Sequence, residues 1–249
     1  MFNVVRRELL GLLDAAAGLP KVLSHHAPGI AGVPFAGLQP ATPVVTPVVL
    51  VHGYLGTAAP WAPLVRRLHA EGVVNVFTLG YDSLSTGVPQ LAAELADQVA
   101  TVSTQGHRPY VHLVGHSLGG LVARYAVQRL GLDRVTRTVI TVATPHRGSP
   151  LALFGPGPAA AALRPGSMLL RELPPLETTK QVRWAVIHAG ADLVVPPPQT
   201  GEGLSLPGYG HHSILSAPEL ADAVVAHLLR AEPASVQPED PATPHAMAC

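Results

Sequence analysis

The chain has 249 residues, 47% of them hydrophobic, with 16 basic and 16 acidic side chains and a formal net charge of zero. That length suits one domain with a sizeable core, and the charge balance leaves no electrostatic footprint for nucleic acid or an anionic membrane surface. The single cysteine, Cys249, excludes an intrachain disulfide and says nothing of redox compartment.

At the start, Arg6 and Arg7 precede Leu9-Leu10-Gly11-Leu12-Leu13 in the manner of a secretory signal, but Glu8 and Asp14 bracket an apolar stretch too short for one. Leu9, Leu12, Leu13 and Leu19 fit instead the apolar face of a packed helix. No run reaches transmembrane length, so a soluble, cytoplasmic protein is expected. Residues 24–43, rich in Pro, Gly and Ala, read as a surface arm. This divides the chain into an N-terminal helix and arm (1–43), a folded domain (44–231) and a flexible tail (232–249) poor in bulky apolar residues.

Within the domain, Val44–Val51 is a β-branched run that ends at His52-Gly53. Trp61–Ala70 has helical spacing, Val73–Leu79 reads as a strand, and Val88–Thr101 as an amphipathic helix through Leu91, Leu95 and Val99. Tyr110–Val114, Val135–Val142 and Val182–Ala189 are further strands, and Ala217–Arg230 a closing helix. Strands alternating with helices predict an α/β fold, a mostly parallel sheet covered by helices on both faces. Between two strands, Pro150 to Glu177 reads as a small cap insertion, about 150–177, with short helices.

The chemistry centres on Gly115-His116-Ser117-Leu118-Gly119-Gly120, directly after an apolar strand. This G-x-S-x-G places a serine on a strained turn between strand and helix, with glycines where chains cross closely. The segment Leu118 to Leu130 is helical in character and meets Gly131, a C-cap residue. Its N-terminus beside Ser117 favours negative charge there. The bland alternative, a turn serine, fits poorly with the strand–helix setting.

A serine hydroxyl needs a base to take its proton, and the base needs a carboxylate to orient it. In this layout acid and base follow the serine on later loops. Asp192, in Ala191-Asp192-Leu193-Val194-Val195-Pro196 after the Val182–Ala189 strand, is the candidate acid; otherwise it is an ordinary turn-capping aspartate. The base lies in Gly210-His211-His212, with His211 preferred over His212 because the glycine precedes it directly. His52-Gly53-Tyr54-Leu55-Gly56 closes the first core strand where an oxyanion loop belongs, and the amides of Tyr54 and Leu118 are the expected oxyanion donors.

The segments VLVHGYLG, LVGHSLGG, ADLVVPP and GHHSIL, in that order, resemble the α/β-hydrolase lipases and esterases of bacteria, across roughly residues 44–230. Thr144-Pro145-His146-Arg147-Gly148-Ser149 is similar to the threonine-proline-histidine-x-glycine stretch of those lipases. The resemblance implies a serine ester hydrolase with the α/β-hydrolase fold, catalytic Ser117, Asp192 and His211, and an oxyanion hole from Tyr54 and Leu118. His146 is expected to be structural, anchoring the cap. No cofactor and no metal is implied, since the chain shows no His-Glu-x-x-His or Cys spacing. The partner is a small-molecule ester or lipid, with neither nucleic acid nor a transmembrane segment involved. Leu55, His116, Leu151, Leu153 and Met168 are the expected substrate-binding residues. The insertion offers Leu151, Leu153, Phe154, Leu163, Met168, Leu169 and Leu170 as lining for an apolar pocket, expected to take short to medium acyl chains with long-chain glycerides left open. An acyltransferase or a thioesterase could use the same triad, and an inert scaffold on this fold would be expected to lack one of its parts.

Overall fold

The computed structural model describes residues 31–32, 46–105, 110–196 and 203–231. The expected N-terminal helix, most of the arm and the tail lie outside the described residues. The strands are β1 Ala31–Gly32, β2 Val48–Val51, β3 Val76–Leu79, β4 Val111–His116, β5 Thr136–Val142, β6 Arg183–Ala189 and β7 Leu204–Leu206. They form one seven-stranded sheet in the order β1-β3-β2-β4-β5-β6-β7. β2 to β7 are all parallel, while the two residues of β1 pair antiparallel with β3 at the edge.

The central strands read as continuous β-branched runs because both faces are covered. Along β2, Val49 and Val51 enter one core, with Leu113 and Val139, while Val48 and Leu50 enter the other, with Val114 and Ile140. The first core is roofed by α2 (Val88–Gln105) and α3 (Leu118–Arg129), and the second by α1 (Ala62–Ala70) and α6 (Pro218–Ala231). All six residues of β4 are buried, so the strand that delivers the serine is clamped from both sides.

Elements run close to their expected bounds. Helix α3 ends at Arg129, and Gly131 takes a left-handed φ of 78° where a Cβ would be costly. Strand β3 starts later than expected, at Val76, because the Val73 amide still donates to the Leu68 carbonyl of α1, at 2.9 Å. Two short strands escape a periodicity reading: β1, inside the expected arm, and β7, three residues long. Between β5 and β6 the cap insertion holds a 3₁₀ turn (Pro150–Leu153), α4 (Gly157–Ala162), α5 (Met168–Glu172) and a second 3₁₀ turn (Leu176–Thr178). Among the described residues no helix is long and apolar enough to cross a membrane.

Candidate active site

Parallel strands bring their carboxyl ends to one edge of the sheet, where loops converge. At the end of β4, Ser117 sits at φ 53°, ψ −121°, a conformation that costs a non-glycine residue on the order of 1–3 kcal/mol. Its neighbours make that turn possible. A Cβ on Gly115 would fall 2.6 Å from the carbonyl carbon of Gly119, and one on Gly119 would overlap the carbonyl oxygens of Val51 and His52. Gly120 leaves room for the Thr144 side chain, so Gly-Gly after the serine lets α3 lie directly on β2 and on the loop after β5.

The structure brings Ser117, His211 and Asp192 together. His211 Nε2 lies 2.9 Å from Ser117 Oγ, and His211 Nδ1 lies 2.9 Å from Asp192 Oδ2. An ionised carboxylate only accepts, so Nδ1 carries the proton and Nε2 presents a lone pair to the serine hydroxyl. The second oxygen of Asp192 accepts from the amides of Val194 and Val195, both at 2.8 Å, which fixes the carboxylate's orientation. The His211 and Asp192 side chains are 3% and 2% exposed, so this chain of bonds is shielded from water.

His212 stays out of the chain. Its ring centroid is 5.1 Å from that of His211, and it lines the cavity wall. His116 instead supports the base from behind: its Nε2–H donates to the His211 carbonyl at 2.9 Å. Burial, then the neighbouring imidazoles of His211 and His212, hold the His116 pKa well below the usual histidine range.

The turn after β2 lies against the elbow. A Cβ on Gly53 would come within 3.1 Å of Ser117 Cβ, so glycine there allows the approach. Leu118 opens α3, and its amide has no intrahelical acceptor. Tyr54 belongs to the turn closed by Gly56 N–H donating to Gly53 O at 3.0 Å. Around it, His52 stacks on Tyr81 with centroids 4.0 Å apart, and burial lowers the His52 pKa to about 4 against the opposing bond to the Gly53 carbonyl.

Above the serine opens a cavity of about 860 Å³, largely apolar, with Leu55, His116 and Leu151 in its lining. Leu153 and Met168, expected there, are absent from the lining and are 59% and 69% exposed. Leu163 lines the cavity as expected, Phe154, Leu169 and Leu170 do not, and Ala152, Gly155 and Ala160 join it from the cap. Small side chains at those last three positions leave room in the cap, and bulk alone does not separate lining from outer residues: Leu55, Leu151 and Leu163 face the cavity, whereas Leu153 and Met168 do not.

His146 is structural, as expected. Its Nε2 is 3.0 Å from Thr141 Oγ1 and its Nδ1 3.2 Å from Arg124, whose other nitrogen donates to the Pro174 carbonyl at 2.8 Å. This ties the far end of the cap to α3. Burial, then the Arg124 charge, lowers the His146 pKa to about 3, while burial lowers that of Arg124 to about 10. Sequence reasoning missed Arg124, Tyr81 and Ser83. For the last two a signal existed: Tyr81-Asp82-Ser83 follows a parallel strand at its carboxyl end, where ligand-facing loops gather.

Residues 47–157 match the family model described as palmitoyl protein thioesterase. A triacylglycerol lipase of Burkholderia plantarii is 32% identical over 149 residues, covering 57% of this chain and 39% of that protein. One of Pseudarthrobacter phenanthrenivorans is 33% identical over 115 residues, covering 43% and 35% respectively. The chain thus spans well under half the length of these relatives. Among solved structures, a mature lipase of Bacillus licheniformis superposes with a TM-score of 0.65 at 19% identity, covering 82% of this chain and 98% of that one. Lipase B of Aspergillus fumigatus gives a TM-score of 0.65 at 17% identity, covering 76% and 53%. These superpositions establish the α/β-hydrolase fold.

Proposed function

We propose that this chain, which has the α/β-hydrolase fold, belongs with the lipases and esterases and hydrolyses carboxylic esters through an acyl-enzyme on Ser117. The observation that carries the reading is the unbroken chain Ser117 Oγ–His211–Asp192, with both links at 2.9 Å, beneath an apolar cavity. In the first half-reaction Ser117 Oγ attacks the ester carbonyl carbon while His211 Nε2 takes the hydroxyl proton. Asp192 stabilises the resulting imidazolium and keeps Nδ1 as the donor. Negative charge gathers on the carbonyl oxygen, where the Tyr54 and Leu118 amides are its donors; losing one such donor typically costs about 100- to 1000-fold in rate. The C–O bond then breaks, and His211 returns its proton to the departing alcohol. Water, deprotonated by the same imidazole, attacks the acyl-enzyme and releases the acid.

The cavity, about 860 Å³, stands near the upper end of the roughly 300–1000 Å³ usual for small-molecule sites. That volume admits short to medium acyl chains, the proposed substrates, and long-chain glycerides as well. The match of residues 47–157 to the thioesterase model favours a second reading, in which the leaving group is a thiol and the triad acts unchanged.

Hydrolysis of p-nitrophenyl butyrate and palmitate, with butyryl thiocholine alongside, tests both. Ser117→Ala is expected to lower kcat by about 10⁴-fold or more, and Asp192→Ala and His211→Ala by large factors also. His212→Ala should keep most activity. Full turnover by Ser117→Ala would overturn the acyl-enzyme mechanism, and cleavage of the thioester alone would move the assignment to thioesterase.

A further inference from the structure

The loop after β3 grips the oxyanion turn at two points. The Tyr81 hydroxyl donates to the carbonyl of His52, at the turn's entry. Two residues on, the Ser83 hydroxyl accepts the Leu55 amide at 2.8 Å, at its far side. Leu55 stands at φ 53°, a left-handed value that a leucine adopts only under backbone strain. Ser83 is 3% exposed, so no water stands in for its oxygen. The loop is itself preformed: Asp82 accepts from the Leu84 amide at 2.8 Å and from the Ser85 hydroxyl at 2.6 Å, bonds that hold its pKa below the usual carboxylate range.

We infer that Ser83 is a positioning residue for ester hydrolysis, acting through the Leu55 amide to hold the Tyr54 amide toward the oxyanion; this rests on the esterase reading above. Two successive amides leave this turn, and one donor direction must be spent for the other to stay aimed at Ser117. Ser83 takes the Leu55 N–H away from the cavity and locks the strained φ. Without the hydroxyl, that amide has lost its acceptor, and the peptide between Tyr54 and Leu55 is free to rotate toward a relaxed φ. Tyr54 then swings with it. The penalty falls where charge develops, in the transition state, and not on ester binding.

The test compares wild type, Ser83→Ala and the nearly isosteric Ser83→Cys, whose sulfur is a weak acceptor. Each is assayed for kcat and KM on p-nitrophenyl butyrate. Each is also titrated with a butyl trifluoromethyl ketone, which adds to the serine as an oxyanion, and with N-ethylbutyramide, an unreactive ground-state analogue. For Ser83→Ala we expect kcat to fall about ten- to a hundredfold, below the loss of a direct donor, with KM within about twofold. Ketone affinity should fall by the same factor as kcat, and amide affinity should hold. Ser83→Cys should fall between the two, and it carries the test if the alanine variant does not fold. Ketone and amide affinities weakening together would make Ser83 a merely structural residue and overturn the inference. Wild-type kcat in Ser83→Ala would overturn it alone, whereas a wild-type chain inactive on esters overturns the esterase reading and the inference with it.

Discussion

The elbow and the cap border the same cavity and are held by opposite means. Around Ser117 the constraints are largely steric and fall on the glycines beside it: Gly115 against Gly119, Gly119 against the end of β2, Gly120 against Thr144. No rotamer change relieves a Cβ that meets backbone. The cap is held by side chains: Ala159, Leu163, Leu169 and Leu173 pack into the first core, and hydrogen bonds run from Arg124 to the Pro174 carbonyl, from Tyr54 Oη–H to the Pro156 carbonyl at 2.6 Å, and from Ser149 to the Val194 carbonyl. Between those contacts it turns Leu153, Phe154 and Met168 outward. A reacting atom must be placed within a fraction of an ångström, whereas a wall for apolar chains needs only volume. The rigidity is concentrated where the chemistry needs it.

The sharpest way to break that contrast is to give the elbow a methyl group. Gly119→Ala is expected to destabilise by about 3 kcal/mol or more, because the clash is with the carbonyls ending β2 and cannot be repacked. Urea midpoints would show it; a midpoint within measurement error of wild type would mean that α3 can slide.

Acid acts next. His52 and His146, with pKa values lowered to about 4 and about 3, and His116, held well below the usual histidine range, are buried and neutral when folded near neutral pH. Unfolding restores the ordinary value near 6.5, so below it the unfolded chain binds more protons. Their stabilising contribution is full above pH 6.5 and is lost as pH falls toward about 4. Each group adds up to about 1.4 kcal/mol per pH unit to the loss. Melting temperature followed from pH 7.5 to 4.5 should drop progressively below 6.5, and His146→Gln should flatten the acid slope relative to its own neutral-pH value.

The smallest effect is expected on the cap. Phe154 is 85% exposed, and Phe154→Ser should shift stability by no more than about 0.5 kcal/mol while leaving butyrate hydrolysis unchanged. A larger loss, read from the same urea melts, would show that the cap's outer face packs on something.

What was legible in the sequence follows the same division. Ser117 could be read from six consecutive residues, because the turn's demands fall on its immediate neighbours. Asp192 and His211 could be read from order along a parallel sheet, since each loop at the carboxyl edge reaches the same place. The choice of His211 over His212 rested on the preceding glycine, and the geometry agrees. For Ser83 the place after a parallel strand was a signal, but its partner was not legible, because the contact spans 28 positions and depends on the φ of another residue, Leu55. The cap lining was misread at Leu153 and Met168 because hydrophobicity marks what avoids water and not which way it faces. β7 is too short, with Ser205 at its centre, to show a period.

The most direct measurement traps the acyl-enzyme. Wild type mixed with excess p-nitrophenyl butyrate is acid-quenched within the first turnovers, digested and analysed by peptide mass spectrometry, with His211→Ala as the slowed control. The expected result is a single butyryl group on Ser117 in the peptide carrying Gly115–Gly120, absent from Ser117→Ala. A butyryl group on another residue, or turnover with Ser117 never acylated, would contradict the assignment of Ser117 as nucleophile.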